Sequence, residues 1–301
     1  MFYLIYAPLY LISLLPFFVL YRLSDFGFFI IYHILGYRKE IVMHNLNIAF
    51  PEKTLLEKKN ISRQFYKNLV DTFIETIKLL SISDKEFDKR ISLDVTAVNK
   101  LAAHKNIQVH SGHQMNWEYA HLAFSKKMNV LWVGVYMQIK NKNVDSLFLK
   151  IRRKYGAMMV STGNFSKEIR SVYDNRYGLA LIADQNPGIP KNAYWLNFFN
   201  RPAPFMTGAD KGAVRNKTAV VFVNFIKVKR GYYKFEPVII TENAGHFKDG
   251  ELTRTYRDFL EKCIRQQPHN YLWSHRRWKW PFKNENVKRW IDDTPPPNII
   301  N

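Results

Sequence analysis

The chain of 301 residues is 47% hydrophobic and 15% aromatic, enough apolar surface for a large core and too much for a disordered chain. Its 45 Lys and Arg against 25 Asp and Glu leave a net charge of +20, which points to a polyanionic partner: nucleic acid, an anionic membrane or a phosphorylated substrate. Cys263 is the only cysteine, so an intrachain disulfide is excluded and a reducing compartment fits.

From Phe2 to Tyr21 no side chain is charged. The run is about long enough to cross the ~30 Å hydrocarbon layer as a helix, even with Pro8 and Pro16 inside it. A second apolar run, Phe28 to Leu35, is too short to span and suits the interface or a return turn. No Lys or Arg precedes the first run, and Tyr21-Arg22-Leu23-Ser24 is a poor cleavage site, which argues against a removed signal peptide. Arg22, Arg38 and Lys39 follow the run, so the positive-inside rule places the remainder in the cytoplasm. A buried helical hairpin of a soluble protein is the competing reading. The expected division is a membrane-anchoring helical segment over residues 1–36 and one larger domain over 37–301.

Thr54 to Leu80 reads as a long helix. Thr54 and Glu57 form a capping-box pattern, and Ile61, Phe65, Leu69, Phe73 and Ile77 repeat at four-residue spacing. Ser83 and Glu86 open a shorter helix on the same logic. Short apolar runs then alternate with helical stretches. The strand candidates are Ile107–Val109, Val130–Tyr136, Met158–Val160, Leu179–Ala183, Ala219–Ile226 and Tyr232–Ile239. Helices are predicted over Asn143–Lys154, Ser166–Asp174 and Gly208–Asn216. This alternation predicts an α/β architecture with a mostly parallel central sheet flanked by helices. Pro295-Pro296-Pro297 marks an irregular tail.

Chemistry concentrates after the first predicted strand, in Gly112-His113-Gln114-Met115-Asn116-Trp117-Glu118. A neutral imidazole can accept a proton from a hydroxyl near pH 7, and an adjacent carboxylate can orient it. Five positions of one continuous helix would leave His113 and Glu118 well apart around the axis. They can meet if His113 lies in a turn and Glu118 in the first turn of the next helix, with Asn116 as its N-cap.

Four further blocks stand out. Tyr136, Asn141 and Asp145 lead from a strand into a helix closed by Arg152 and Arg153, and Arg153 is the candidate anion contact there. Asp184-Gln185 ends the strand Leu179–Ala183, where open α/β sheets tend to bind ligands. In Phe198-Phe199-Asn200-Arg201-Pro202-Ala203-Pro204-Phe205-Met206-Thr207-Gly208, a stiff loop with Thr207 as N-cap can aim Arg201 and a helix N-terminus at an anion. Lys211 and Arg215 extend that patch on one helix face. Near the end, Trp273-Ser274-His275-Arg276-Arg277-Trp278 interleaves arginine and tryptophan, suiting a membrane interface, an anionic headgroup or stacked single-stranded nucleic acid. His275 is read as structural and His110 as a bystander.

The string Gly112-His113-x-x-Asn116-Trp117-Glu118 resembles the signature of the bacterial lipid A biosynthesis acyltransferases, the late lauroyl and myristoyl transferases within the lysophospholipid acyltransferase superfamily. The blocks at Tyr136, Asp184-Gln185, Arg201 and Trp273 resemble that family's later blocks in its order, from about Tyr3 to Lys279. Three positions depart from its usual pattern: Met115 and Asn200 replace glycines, and Gln138 replaces a proline. The resemblance implies an O-acyltransferase at the bacterial inner membrane, its catalytic domain facing the cytoplasm. In that reading His113 is the general base and Glu118 its partner, with Trp117 and the residues named above as supporting contacts. It implies acyl-carrier protein as donor and a phosphorylated glycolipid, a lipid A precursor, as acceptor, beside membrane lipids. Asn116, Arg153 or a backbone amide is the candidate oxyanion donor. No nucleic acid, metal or cofactor is expected: there is no His-Glu-x-x-His and no Cys/His cluster. A Gly-x-Ser-x-Gly elbow is also missing, which argues against a covalent acyl-enzyme. The alternatives are acylation of a lysophospholipid or aminolipid, and a non-enzymic, membrane-tethered binder of anionic lipid or nucleic acid.

Overall fold

The computed structural model describes residues 2–297. The long uncharged run at its start is two helices, α1 (Phe2–Leu14) and α2 (Phe17–Phe29). Pro16 separates them: it has no N–H to donate and disfavours the helical conformation of the residue before it. Helix α1 is 13 residues, about 20 Å, and therefore short of a bilayer's apolar depth. Helix α2 runs on through a π-helical turn at Ile30–Ile34, and Phe17–Ile34 is 18 residues long with mean hydropathy 1.3. The stretch with the length and composition to cross a membrane is thus Phe17–Ile34, displaced from the expected Phe2–Tyr21.

Helix α3 (Lys39–Ala49) leads to α4 (Leu55–Lys78), which opens with the expected capping box between Thr54 and Glu57. Its buried face differs from the four-residue repeat. Each step of four advances about 40° beyond a full turn, so the repeat drifts around the helix. Phe65 and Leu69 are buried, Phe73 is exposed, and Asn68, Asp71, Thr72 and Glu75 occupy the inward face. Helix α5 (Asp84–Arg90) follows, capped by Ser83.

Strand β1 (Ile91–Leu93) and helix α6 (Thr96–Ala102) precede the predicted series. That series is β2 (Ile107–Ser111), α7 (Trp117–Lys127), β3 (Leu131–Tyr136), α8 (Lys142–Arg152) and β4 (Met158–Ser161). The helix expected over 166–174 is a single α-helical turn, α9 (Phe165–Glu168), continued by a 3-10 turn at Ile169–Val172. After β5 (Tyr177–Ile182), the segment read as a stiff loop is a hairpin, β6 (Tyr194–Phe198) and β7 (Arg201–Phe205). Phe199 and Asn200 form its two-residue turn with φ of 52° and 58°, the left-handed pair that primed hairpin turns require. Helix α10 (Gly208–Asn216), β8 (Ala219–Lys229), β9 (Tyr232–Thr241) and α11 (Glu251–Gln266) follow, and after them come 3-10 turns at Pro268–Asn270 and Asn284–Arg289. Pro295 to Pro297 have no regular structure, and residues 298–301 lie outside the described residues.

Seven strands form one sheet in the order β1-β9-β8-β2-β5-β3-β4. Strands β8, β2, β5, β3 and β4 are mutually parallel, β9 is antiparallel to β8, and β1 pairs parallel with β9. The fold is the α/β class read from the sequence, with a mostly parallel sheet flanked by helices. Side chains of β8 alternate between two cores. Val221 and Val223 share one with Tyr119, Leu122 and Phe124 of α7, and Val220 and Phe222 share the other with Ala213, Leu252, Tyr256 and Leu260. Cys263, on α11, is buried, and burial pushes its thiol up to about 12.

This topology creates a switch point. From β2 the chain passes through α7 to β3, two places toward one edge; from β5 it passes through α10 to β8, two places toward the other. Right-handed crossovers in opposite directions put the connecting helices on opposite faces, as the two cores record. The connections that leave the carboxyl ends of β2 and β5 therefore run to opposite faces, and such a switch point is where open α/β sheets tend to bind ligands.

Candidate active site

Strand β2 ends at Ser111, whose carbonyl accepts a 2.7 Å bond from the buried Tyr256 hydroxyl. Gly112 follows without a Cβ because one would run into Leu260 of α11. The loop that carries His113 is then held by the segment 270–272. Leu272 N–H donates to His113 O at 3.0 Å, Met115 N–H to Asn270 O at 2.9 Å, and Asn270 Nδ2 returns a bond to Met115 O at 2.9 Å.

His113 meets Asp184, just past β5, twice: its backbone N–H donates to Oδ2 at 3.0 Å and its Nδ1 lies 2.5 Å from Oδ1. The side chains are 19% and 1% exposed, so the carboxylate is sealed while the ring is reachable. A carboxylate only accepts, which places the shared proton on Nδ1 and leaves Nε2 as the free lone pair. Burial alone would raise the Asp184 pKa. The charge of protonated His113, its two hydrogen bonds and one from Tyr271 outweigh that and hold it down to about 2. Trp117 lines the ring edge to face, centroids 5.8 Å apart.

Glu118, the expected partner of His113, is bound elsewhere. It is 3% exposed, and its carboxylate takes three bonds from Arg152 at the end of α8: Nε at 3.0 and 3.2 Å and Nη2 at 2.5 Å. Arg152 is 18% exposed. Glu118 lies in the first turn of α7, as expected, but its carboxylate is taken up by Arg152 of α8 and has no bond to His113. Asn116 is the N-cap: its Oδ1 accepts from Glu118 N–H at 3.1 Å and Tyr119 N–H at 3.3 Å, while Nδ2 donates to Glu75 at 2.9 Å. Fully buried and committed to these bonds, Asn116 is not placed to donate to an oxyanion.

The supporting residues divide. Asn141 caps α8 by accepting from Asn143 and Val144, and buried Asp145 accepts from Ile139 N–H at 2.8 Å, so both shape the β3–α8 loop. Tyr136 ends β3, half-buried; burial, with the Asp145 charge nearby, raises its pKa. Arg153 is exposed past the last turn of α8, with Arg152 in the position foreseen for it. Gln185 follows Asp184, half-buried. Arg201, Lys211 and Arg215 are exposed, and among the described residues none bonds to His113, Asp184, Glu118 or Arg152. Thr207 stands before α10 without a side-chain capping bond.

Most of the terminal Arg/Trp block is internal, with Trp273, Ser274 and Arg277 buried and Arg276 exposed. His275, neutral because burial and the Arg277 charge press its pKa down to about 4, accepts from Asn186 N–H at 3.2 Å. Arg277 is buried over the Phe205 ring at 4.3 Å and donates to Asn186 Oδ1 at 3.1 Å, bracing the loop after Asp184. His110 is a buried bystander stacked on Phe222, its pKa lowered to about 3 by burial.

Sequence reasoning passed over Arg152, Tyr271 and Glu75. A signal existed for the first: Arg152 lies seven positions after Asp145, nearly the same direction around α8, while Arg153 is turned about 80° outward. No group of three or more His, Cys, Asp or Glu side chains among the described residues is arranged to hold a metal ion. No curated protein matches the chain. A family profile does: residues 1–280 match the bacterial lipid A biosynthesis acyltransferases, and the chain belongs to that family.

Proposed function

We propose that the protein transfers a fatty acyl chain from an acyl thioester, carried by acyl-carrier protein, to a hydroxyl of a phosphorylated lipid A precursor, with His113 as general base and Asp184 as its partner. The observation that carries this reading is the Nδ1–Asp184 bond, which leaves Nε2 of a partly exposed imidazole free just past the carboxyl end of β2. The acceptor hydroxyl gives its proton to Nε2 as its oxygen attacks the thioester carbonyl. The tetrahedral carbon then collapses, the C–S bond breaks, and the departing sulfur takes the proton back from the imidazolium. Asp184, ionised through the cycle, offsets the charge that appears on the ring.

Glu118 acts at one remove from the ring, as the anchor of Arg152. That pair locks α7, the helix that follows the His113 loop, to α8. Residues 1–36 serve as the membrane-anchoring part and 37–301 as the catalytic part, at the inner membrane and facing the cytoplasm. The apolar helix at Phe17–Ile34 and the net charge of +20 support that placement.

The test is transfer of a radiolabelled acyl group from acyl-carrier protein in the wild type and in folded His113→Ala. Appreciable turnover by the variant refutes the base assignment. Lipid mass spectrometry of cells with and without the gene decides the acceptor: loss of one acyl chain from lipid A supports the glycolipid, and a changed lysophospholipid or aminolipid pool replaces it.

A further inference from the structure

Glu75 is fully buried on the inward face of α4, and its carboxylate touches three other elements. Oε1 accepts from the Tyr21 hydroxyl of α2 at 3.1 Å; Oε2 accepts from Asn116 Nδ2 at 2.9 Å and from the Tyr233 hydroxyl of β9 at 2.7 Å. Removing a carboxylate from water costs several kcal/mol, which an apolar residue of similar size would avoid. Three directed bonds to three elements are what such a residue could not supply.

The Asn116 bond has a particular consequence. A side-chain amide has two ends of nearly equal size, and only the oxygen can cap a helix. Oε2 of Glu75 accepts from Asn116 Nδ2, which claims the NH2 end and turns Oδ1 toward the Glu118 and Tyr119 N–H groups. Those two bonds set the first turn of α7, which carries Trp117 against the His113 ring and Glu118 against Arg152.

The same face of α4 also holds α2. One turn before Glu75, Asp71 accepts from Ser24 Oγ at 2.7 Å, Arg230 Nη2 at 2.7 Å and Lys227 Nζ at 3.1 Å. Arg230 continues to Asp25 at 2.8 Å. Thr72 reaches Met115 Sδ at 3.4 Å, and Asn68 donates to His269 O at 3.0 Å, beside the segment that grips the His113 loop. One polar seam thus joins the apolar helix α2 to the loop 113–118.

Resting on the acyl-transfer reading, we infer that Glu75 is a positioning residue: it orients the Asn116 amide that caps α7, and through Tyr21 it ties that orientation to the seating of α2. The test pairs steady-state acyl transfer with hydrogen exchange at the Glu118 and Tyr119 amides, using the full-length membrane-bound protein. Glu75→Ala should lower kcat by about tenfold to a hundredfold, the cost of small misplacements, with KM for the acyl thioester nearly unchanged. Exchange at both amides should rise about fivefold, as for loss of a cap, while the Val133 amide in the sheet is unaffected. Glu75→Gln, which keeps an oxygen for Asn116, should restore most of the kcat. Tyr21→Phe should show the same pattern more weakly.

Wild-type kcat and wild-type protection in Glu75→Ala overturn the inference, as does a loss that appears equally at Val133. If Glu75→Ala does not accumulate as folded protein, Asn116→Asp replaces it. That variant keeps the cap oxygen and sets two carboxylates face to face, so unchanged kcat and exchange there overturn the inference too. A wild-type protein without transferase activity defeats the acyl-transfer reading alone; the exchange measurement needs no substrate and still decides what Glu75 does.

Discussion

Two buried carboxylates flank the His113 loop, and they have opposite kinds of partner. Asp184 holds an imidazole, a ring that can serve as both proton acceptor and proton donor; Glu118 holds a guanidinium, which only donates. The first pair suits proton traffic, with a sealed anion behind a partly exposed ring. The second suits permanence, with three hydrogen bonds fixing two helices. The His-x4-Glu spacing names one member of each pair, and in the proposed reading the proton transfer belongs to the first.

The largest effect that can separate them is on turnover. Asp184→Asn can leave Nδ1 as an acceptor and place the proton on Nε2, the wrong tautomer for a base, so kcat should fall by about 10⁴. Glu118→Gln keeps an oxygen for Arg152 and should be far milder; an equal loss in both variants would erase the distinction. For folding the order reverses. Glu118→Ala leaves a mostly buried Arg152 unpaired, and chemical denaturation should show a loss of about 3–5 kcal/mol.

A pH titration sharpens the contrast. The Asp184 pKa falls from 3.8 to about 2 on folding, so its ionised form favours the native state. That stabilisation is complete above the unfolded value and disappears as pH falls through the folded one. Between pH of about 4 and about 2 the wild type should lose roughly 2 kcal/mol that Asp184→Asn does not. Parallel acid limbs for the two proteins would contradict it.

Smaller still is Asn141→Ala, which removes the α8 cap and should cost about 1 kcal/mol of stability. Its turnover should be preserved, apart from any shift of Arg152. Arg201→Ala, Lys211→Ala and Arg215→Ala, on exposed side chains, should change stability by no more than about 0.5 kcal/mol. A raised KM for the phosphorylated acceptor at unchanged melting temperature would assign that patch to acceptor binding, and unchanged KM would leave it as surface charge.

Much of the sheet was legible because its parallel strands are short apolar runs bounded by turns. Val109, Val133, Val160 and Val221 sit in strands where the pattern puts them. The β6–β7 hairpin was not legible, since Pro202 and Pro204 argue against a strand. They are tolerated because alternate positions turn both donorless nitrogens to one side of a two-stranded ribbon, paired with Asn197 and Trp195. His113 could be read from its motif and Asp184 from its place at a strand end. Their pairing could not, because it depends on β2 and β5 being neighbours although some seventy residues separate the two side chains. Glu75 was hidden for a related reason: its partners Tyr21, Asn116 and Tyr233 come from three distant segments, and nothing in the local pattern of α4 announces them.

The single sulfhydryl has a practical consequence. Cys263 faces inward from α11, 3% exposed, with its thiolate suppressed by burial. A maleimide or disulfide reagent should leave the native protein unlabelled and react once that helix lifts from the sheet. Every chain therefore carries one intrinsic reporter of opening, readable by mass in crude membranes, against which each substitution above can be ranked without purification.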